Sequence, residues 1–423
     1  SSIEKKVSFE SEDYFNQNEF EKIQNISNSN PLIIMKVVSD KEGTRLMDAE
    51  FLAQKINPRF TVDNVQSLYY DLVAKGFISY DKEKNIVTLL DKLFHFVDAS
   101  AEKIDYDVLS VVSETNSDNA ILNIATKRYE VSGVSNLEFS EKQIVAAKPY
   151  KGYLQLHQNR SVFFDGKLFA GFGILDGSDF TFEYPKFQIR LDSIRYFDLY
   201  VPTGVEDENG VMEATSLSSR IEHANGYLQI DAPSNKSGLE DLENFPSLHT
   251  KGPSYVFYDY KDTRNGAYKR DSFYFELNKF NFKSLDKFTA ADVTFKGTMV
   301  SADIFPEFQE TIVIQEEDSS LGFITETDGS GYPTYADKGL YNGQISLSNK
   351  GFLGVGNLKY LNASIDSEDF VFMPKQMLAS AKSFHADEER SKEPNIPNVD
   401  GNDVKINWLP YRDSMYVNTT AEP

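Results

Sequence analysis

From about Tyr106 to the end of the chain, apolar residues recur at every second position in short runs, each closed off by Gly, Ser, Asn or Asp. A period of two is the spacing of one face of a β-strand, and the punctuating residues are those that tolerate turns. Ala120-Ile121-Leu122-Asn123-Ile124, Arg128-Tyr129-Glu130-Val131, Asn136-Leu137-Glu138-Phe139 and Gln143-Ile144-Val145-Ala146 follow one another in this way. Runs this short and this closely spaced predict a mainly β fold, built as an elongated β-repeat array rather than a compact sandwich. The array is a solenoid, a long meander or a groove; periodicity does not separate these.

Internal similarity points the same way. Phe164-Asp165-Gly166-Lys167-Leu168-Phe169-Ala170-Gly171 resembles Phe295-Lys296-Gly297-Thr298-Met299-Val300-Ser301-Ala302. Gly152-Tyr153-Leu154-Gln155-Leu156 and Gly226-Tyr227-Leu228-Gln229-Ile230 are nearly identical, and Gly343-Gln344-Ile345-Ser346-Leu347 is a looser copy. Here glycine is expected to supply a tight bend into each strand, after which alternation buries one face. The spacings differ, so there is no fixed repeat length. Strict alternation over 180–191 breaks once, at Pro185, which predicts two edge strands joined there. Tyr255-Val256-Phe257-Tyr258 and Phe273-Tyr274-Phe275 add strands on either side of a hairpin turn at Thr263-Arg264-Asn265-Gly266.

The first hundred residues differ. Leu46, Phe51, Leu52 and Ile56 fall near helical spacing and stop at Asn57-Pro58. Thr61 is an N-cap candidate for a second helix carrying Val65, Leu68, Tyr69, Leu72 and Val73, which closes at Lys75-Gly76. Phe77–Tyr80 and Ile86–Leu89 then read as a hairpin. Helix, helix, hairpin is the order of a winged-helix core. DNA binding needs a basic second helix, and this one sets Lys75 against Asp63 and Asp71, so a protein-contact or capping role is expected. The expected organisation is an N-terminal extension over 1–40, a small winged-helix-like α+β unit over 41–105, and β-repeat regions over 106–205, 206–290 and 291–385. A linker and the start of a further unit occupy 386–423. Linker composition marks Glu206-Asp207-Glu208-Asn209-Gly210 and the stretch Ala386–Val399 with Pro394 and Pro397.

Charge and cysteine content narrow the function. The 423 residues carry 65 acidic side chains against 43 basic ones, a net −22, and no cysteine. The acidic balance argues against a nucleic-acid partner and against docking on an anionic membrane. Without cysteine there are no disulfides, thiolate nucleophiles, Fe–S clusters or Cys-type zinc sites. No apolar run approaches the roughly 18 residues of a membrane-spanning helix. Ser1-Ser2-Ile3-Glu4-Lys5-Lys6 has no apolar signal-peptide core, as expected of a processed or truncated piece.

No motif converges on a chemistry, and no catalytic, cofactor-binding or metal-ligating residue is assigned. His95, His157, His223, His249 and His385 are too far apart to form a local metal pair, and each is expected to be a surface or strand histidine. His223 has Glu222 beside it and Ser219 upstream, but no Gly-x-Ser-x-Gly elbow surrounds any serine. Gly354-Val355-Gly356 and Gly171-Phe172-Gly173 read as β-bends rather than phosphate loops. Three acidic clusters offer oxygen ligands for Ca²⁺: Asp366-Ser367-Glu368-Asp369, Glu316-Glu317-Asp318, and Asp176 with Asp179. The simpler reading is that charge at turns keeps sheet edges from pairing, and Asp328-Gly329-Ser330-Gly331 lacks the later acids of an EF-hand loop. Tyr153, Tyr227, Tyr255, Tyr258 and Tyr260 are candidates for a sugar-stacking platform, set against the ordinary core role of strand aromatics.

Several segments together carry a resemblance: Asp91–Ala99, Phe164-Asp165-Gly166 with Ala170-Gly171, Ile304-Phe305-Pro306-Glu307-Phe308, Ser320-Leu321-Gly322-Phe323, Leu347–Gly351, and Ile406-Asn407-Trp408-Leu409-Pro410-Tyr411. From about residue 40 onward the chain resembles the very large, uncharacterised exported β-repeat proteins of Bacteroidota-type bacteria. The resemblance implies an inner fragment of a longer protein, exported to the periplasm or cell surface, and carries over no activity and no site residue. The expected function is a non-enzymatic structural or scaffolding segment of a cell-envelope protein that presents loops to a protein partner there. The alternatives are a polysaccharide-binding or polysaccharide-cleaving β-solenoid and a lipid-conducting β-groove, the latter compatible with 32 phenylalanines.

Overall fold

The computed structural model describes residues 5–10, 15, 17–24, 30–103, 105, 109–157, 160–208, 210, 212–387 and 398–419. Strand accounts for 52% of it and helix for 16%, so the fold is mainly β. Its main element is a long antiparallel meander of 23 strands. A solenoid stacks parallel rungs, whereas strands that turn back on their neighbours through short hairpins make a meander, so antiparallel pairing selects the latter. Contacts divide the chain into two units. Ser1–Leu168, Asp179–Arg190 and Leu228–Pro246 form the first; Phe169–Ser178, Leu191–Tyr227 and Ser247–Pro423 form the second.

The first unit contains the winged-helix-like part. Helix Pro31–Glu42, strand Leu46–Asp48, helices Ala49–Ile56 and Val62–Ala74 and the hairpin Ile78–Asp81/Ile86–Leu89 follow in order, then helix Asp91–Ser100. Leu46–Asp48 pairs with Ile86–Leu89, which pairs with Ile78–Asp81. Caps set the helix starts: the Asn30 side chain accepts from Leu32 N, Asp48 accepts from Phe51 N at 2.9 Å, and Thr61 with Asn64 forms a capping box. Leu46 is therefore a strand residue and not part of the helix its spacing suggested, because Asp48, as cap, must be extended. The helix Pro31–Glu42 begins upstream of the start expected at residue 41. Ile33 and Val37 stay exposed on its outer side while Leu32, Met35 and Val38 are buried, so its apolar residues show no clean stripe. Leu52, Tyr69, Phe77 and Phe96 complete the core, and the Tyr69 hydroxyl donates to Ala49 O at 2.8 Å. The outward side of Val62–Ala74 carries Asp63, Tyr70 and Asp71, with Lys75 paired to Asp71 at 2.7 Å. Upstream, Lys5–Glu10 pairs antiparallel with Ser110–Thr115, so the helical part is inserted between two strands of one ribbon.

The β part of the first unit begins with the hairpins Ala120–Asn123/Arg128–Val131 and Leu137–Ser140/Val145–Leu156. Its core is aromatic: Phe139 lies 4.7 Å from Phe182, and Phe164 meets Phe180 edge to face at 5.6 Å. At Pro185 a short 3₁₀ turn joins Gly173–Glu183 to the long strand Gln188–Glu206. The proline sits in that turn and leaves both strands inside the meander, not at an edge.

In the second unit, Phe305 is the hub of the core, with the rings of Phe372, Phe352 and Tyr341 at 5.0, 5.5 and 5.7 Å. Trp408 is fully buried between Tyr360 at 4.6 Å and Tyr335 at 5.1 Å. Neither expected linker separates domains. Glu206 pairs with Met212, so the strands on either side of this stretch belong to one hairpin; Asn209 lies outside the described residues. Ala386 pairs with Val399, so strands Val399–Leu409 and Ser414–Thr419 continue the same sheet and start no further unit; Pro394 and Pro397 lie outside the described residues. Charge-rich stretches mark exposed turns as readily as linkers. Arg264–Gly266 is indeed a left-handed turn, but it belongs to a long connection between Ser254–Phe257 and Phe273–Leu277, anchored by Arg264 Nε donating to Lys350 O at 2.8 Å.

The repeated glycines lie inside strands, not at the bends entering them. A Cβ at Gly297 would stand 2.1 Å from Glu276 O, and at Gly322 it would stand 1.8 Å from Leu347 O. Gly343 and Gly356 face each other across one ladder, both at φ near 150°, and a Cβ on either would meet a carbonyl oxygen at 2.3 Å. Glycine thus admits close backbone approach where sheets bend sharply. Gly322→Ala is expected to destabilise the protein by about 1–3 kcal/mol, the usual cost of overpacking. Gly329→Ala, where a Cβ meets nothing within 4 Å, is expected to leave stability unchanged. Urea midpoints of the two variants check this, and equal midpoints would refute the close-approach account.

Candidate binding cleft

The sequence candidates scatter. His95 is in a helix, half-buried, and burial pushes its pKa down. The His157 ring packs on Phe163 at 4.1 Å, and burial lowers its pKa too. His223 meets Phe257 edge to face, while Ser219 upstream is buried with its hydroxyl accepting from Leu321 N at 2.9 Å. His385 is exposed, with Nδ1 2.6 Å from Asp400 and Nε2 3.1 Å from Asp387; these hydrogen bonds push its pKa up. The acidic clusters are occupied locally. Asp366 accepts from Asn357 and Ser383 at 2.8 Å, Asp369 accepts from Ser380 N at 2.6 Å, and Glu317 pairs with Lys350. Asp176 accepts from the Tyr196 hydroxyl at 3.0 Å. Among the described residues, no three His, Asp or Glu side chains converge as metal ligands.

The five tyrosines do not form one platform. Tyr258 is fully buried and donates to Leu321 O at 2.8 Å, and Tyr255 packs against Phe257 and Tyr274. Tyr153 lies in the first unit, where its hydroxyl accepts from Gln155 Nε2 at 3.0 Å. Tyr227 is different. Its ring stacks on His249 at 4.7 Å between centres and 10° between planes. Gly226 makes this possible: at φ 158 its missing Cβ would stand 1.9 Å from His249 O, so strand Ser247–Thr250 can lie hard against strand Ile221–Gln229.

The pleat then builds a surface around the stacked pair. His249 is opposite Asn281 and Leu248 opposite Phe282. Alternation sends Leu248 and Phe282 inward and puts His249, Asn281 and Lys251 on the outer face. Lys279 and Lys283, two residues to either side of Asn281, are exposed with it. Thr250 fixes the junction, donating from N to Phe280 O and accepting from Phe280 N at 2.8 Å through its hydroxyl. The Lys251 ammonium lies 6.0 Å from the Tyr227 ring centre. The result is a cleft of about 410 Å³ lined by Tyr227, His249, Thr250, Lys251, Lys279, Phe280 and Asn281. A second cleft of about 430 Å³ shares Phe280 and Asn281 and holds Lys283, Asp292 and Lys287, the last paired with Asp286. Such a surface offers an aromatic face for stacking, an amide with two donors and an acceptor, and ammonium groups for anionic oxygens. Of these residues, Tyr227 was a candidate from sequence and His249 was set aside. The lysines were missed, although Lys279-Phe280-Asn281-Phe282-Lys283 alternates basic or polar with aromatic at strand period.

Sequence reasoning also missed Lys236 in the first unit. Only 2% exposed, it donates to Asp105 O at 2.8 Å and to Pro233 O at 2.6 Å, and it lies 5.4 Å from the Tyr184 ring centre. The Arg160 guanidinium is 4.7 Å from the same ring. Ser237 N and its hydroxyl donate to the Asp105 carboxylate, so the loop clasps the backbone at residue 105. In sequence, Pro233-Ser234-Asn235-Lys236-Ser237-Gly238 reads as a solvated turn, and nothing marks its lysine as buried.

Burial pushes the Lys236 ammonium from 10.5 down to about 8, with Asp105 opposing and Arg160 adding to the shift. Between those two pH values the unfolded chain holds a proton that the folded chain has lost, so this group's contribution to stability rises with pH across that window. The stability of wild type relative to Lys236→Met is therefore expected to increase from pH 7.5 to pH 10 in urea unfolding; a flat difference would show that the amine is not desolvated. Comparison with protein-family models, with curated proteins and with solved structures finds no match to this chain.

Proposed function

We propose that the chain is a non-enzymatic structural segment of an exported cell-envelope or surface protein, a stiff β-meander that presents its outer face to another envelope component. What supports this is the continuity of the antiparallel ladder, with mid-strand glycines locking neighbouring backbones together and an aromatic core behind them. A second reading, polysaccharide binding, is favoured by one observation: the stacked Tyr227–His249 pair sits in an open cleft rather than in the core. The lipid-conduit reading has less support, since Phe305 and its neighbouring rings fill the interior of the second unit.

The test has two parts. Incubated with a panel of envelope and plant polysaccharides, the protein is expected to release no new reducing ends or unsaturated products; sustained turnover would overturn the non-enzymatic reading. Labelling of intact producing cells with a membrane-impermeant amine reagent is expected to tag this chain, and labelling only after lysis would overturn the surface location.

A further inference from the structure

We propose that the outer-face cleft of the second unit binds an acidic polysaccharide, a glycan strand bearing carboxylate or sulfate groups. This rests on the polysaccharide-binding reading above and adds the ligand's charge. Three observations carry it. The first is the platform: two parallel rings held half-exposed by backbone contact at Gly226 present a flat face of the kind a sugar ring's C–H surface stacks on.

The second is the set of cations around the platform. Lys251, Lys279 and Lys283 are all exposed, and among the described residues none has a carboxylate within ion-pair distance. Other basic side chains of this unit are paired, Arg270 with Asp259, Arg220 with Asp198, Lys350 with Glu317 and Lys382 with Glu368, while among the described residues Lys261, Lys296 and Lys359 have no ion-pair partner but do not line the cleft of the stacked rings; what sets Lys251 and Lys279 apart is that they line the cleft beside that stack. The lining of the cleft beside the stacked rings holds two lysines, Lys251 and Lys279, and no carboxylate, a surface complementary to an anionic group on a ligand.

The third is spacing. Lys279 and Lys283 flank the two-residue strand Asn281–Phe282, so their Cα atoms are at most roughly 13 Å apart at 3.3 Å per residue. Two cations on one face with an amide between them, and a ring stack beside them, suit a linear ligand that repeats hydroxyls and anions over a few sugar units. A single small anion would engage only one lysine. Carboxylate and sulfate glycans share this chemistry, and the experiment separates them.

Full-length protein is titrated by calorimetry, at low and at moderate salt, with polygalacturonate, chondroitin sulfate, a neutral glucan and a single-stranded oligonucleotide. Polygalacturonate, chondroitin sulfate or both are expected to bind, more weakly as salt rises; the stronger of the two names the anion. Lys279→Gln/Lys283→Gln, both at exposed positions, should weaken binding at least tenfold while leaving the unfolding midpoint unchanged. Tyr227→Leu should weaken it also at high salt, where the lysines are screened. Equal binding of the neutral glucan, indifferent to the lysine changes, would overturn the acidic ligand and leave the polysaccharide reading standing. Absence of binding to every glycan would overturn both, and tighter binding of the oligonucleotide than of either acidic glycan would replace the proposal with nucleic-acid recognition.

Discussion

Contact between neighbouring backbones at glycines inside strands is the constraint on which the sheet depends. At Gly166, Gly226, Gly297, Gly322, Gly343 and Gly356 a carbonyl oxygen of the adjacent strand lies where a Cβ would project, at 1.8 to 2.3 Å. Any other residue there would push two strands apart or break the ladder between them. Without that clash the strands can bend strongly while keeping their hydrogen bonds, which long flat strands cannot do. With no cysteine in the chain, no disulfide contributes to holding these strands together.

The bends in turn set the aromatic packing. Rings around Phe305 meet at 5.0 to 6.2 Å and mostly edge to face, as with Phe352 at 89°. Each such pair is worth about 0.5–1.5 kcal/mol beyond the apolar area it buries. Trp408 shows how far packing outweighs polar bookkeeping. Its Nε1 is buried with no hydrogen-bond acceptor among the described residues, a cost of about 1–3 kcal/mol, yet the ring is held at 0% exposure by Tyr335 and Tyr360.

These interactions explain what was legible in sequence. Helix Val62–Ala74 and the hairpin after it could be read closely because their signals are local: the capping box at Thr61, four buried positions at helical spacing, two alternating runs. Strand period was legible for the same reason; antiparallel order was not, because a period of two is the same in a solenoid and in a meander. Strand length was not: Val145–Leu156 and Gln188–Glu206 continue through Lys151-Gly152 and Pro202–Gly204, which look like stops. The glycines were found but assigned the opposite task, since their necessity arises from a neighbouring strand remote in sequence. For the cleft, Tyr227 stood out by its repeat. Its contrast with Tyr153, the same residue in the same motif, depends on His249, twenty-two positions away and invisible to any local pattern.

Net charge describes the chain as a whole and not any one site on it. A total of −22 summarises the whole chain, but electrostatic interactions in physiological salt are screened over about 8 Å. A ligand oxygen about 4 Å from an ammonium gains roughly 1–4 kcal/mol, depending on how wet the site is. Acids beyond the screening length act on it only weakly. What matters is therefore the local sign: the lining of the Tyr227–His249 cleft carries Lys251 and Lys279 and no carboxylate, while the neighbouring cleft sets Asp292 beside Lys283. On the proposed reading the acidic remainder acts on rate and selectivity: it repels polyanions from the rest of the surface, so that a glycan gains affinity only where stacking on Tyr227 and contact with Lys251 and Lys279 occur together. If such a cleft takes an anionic ligand, its affinity follows the charge of its own lining and not the −22 of the chain.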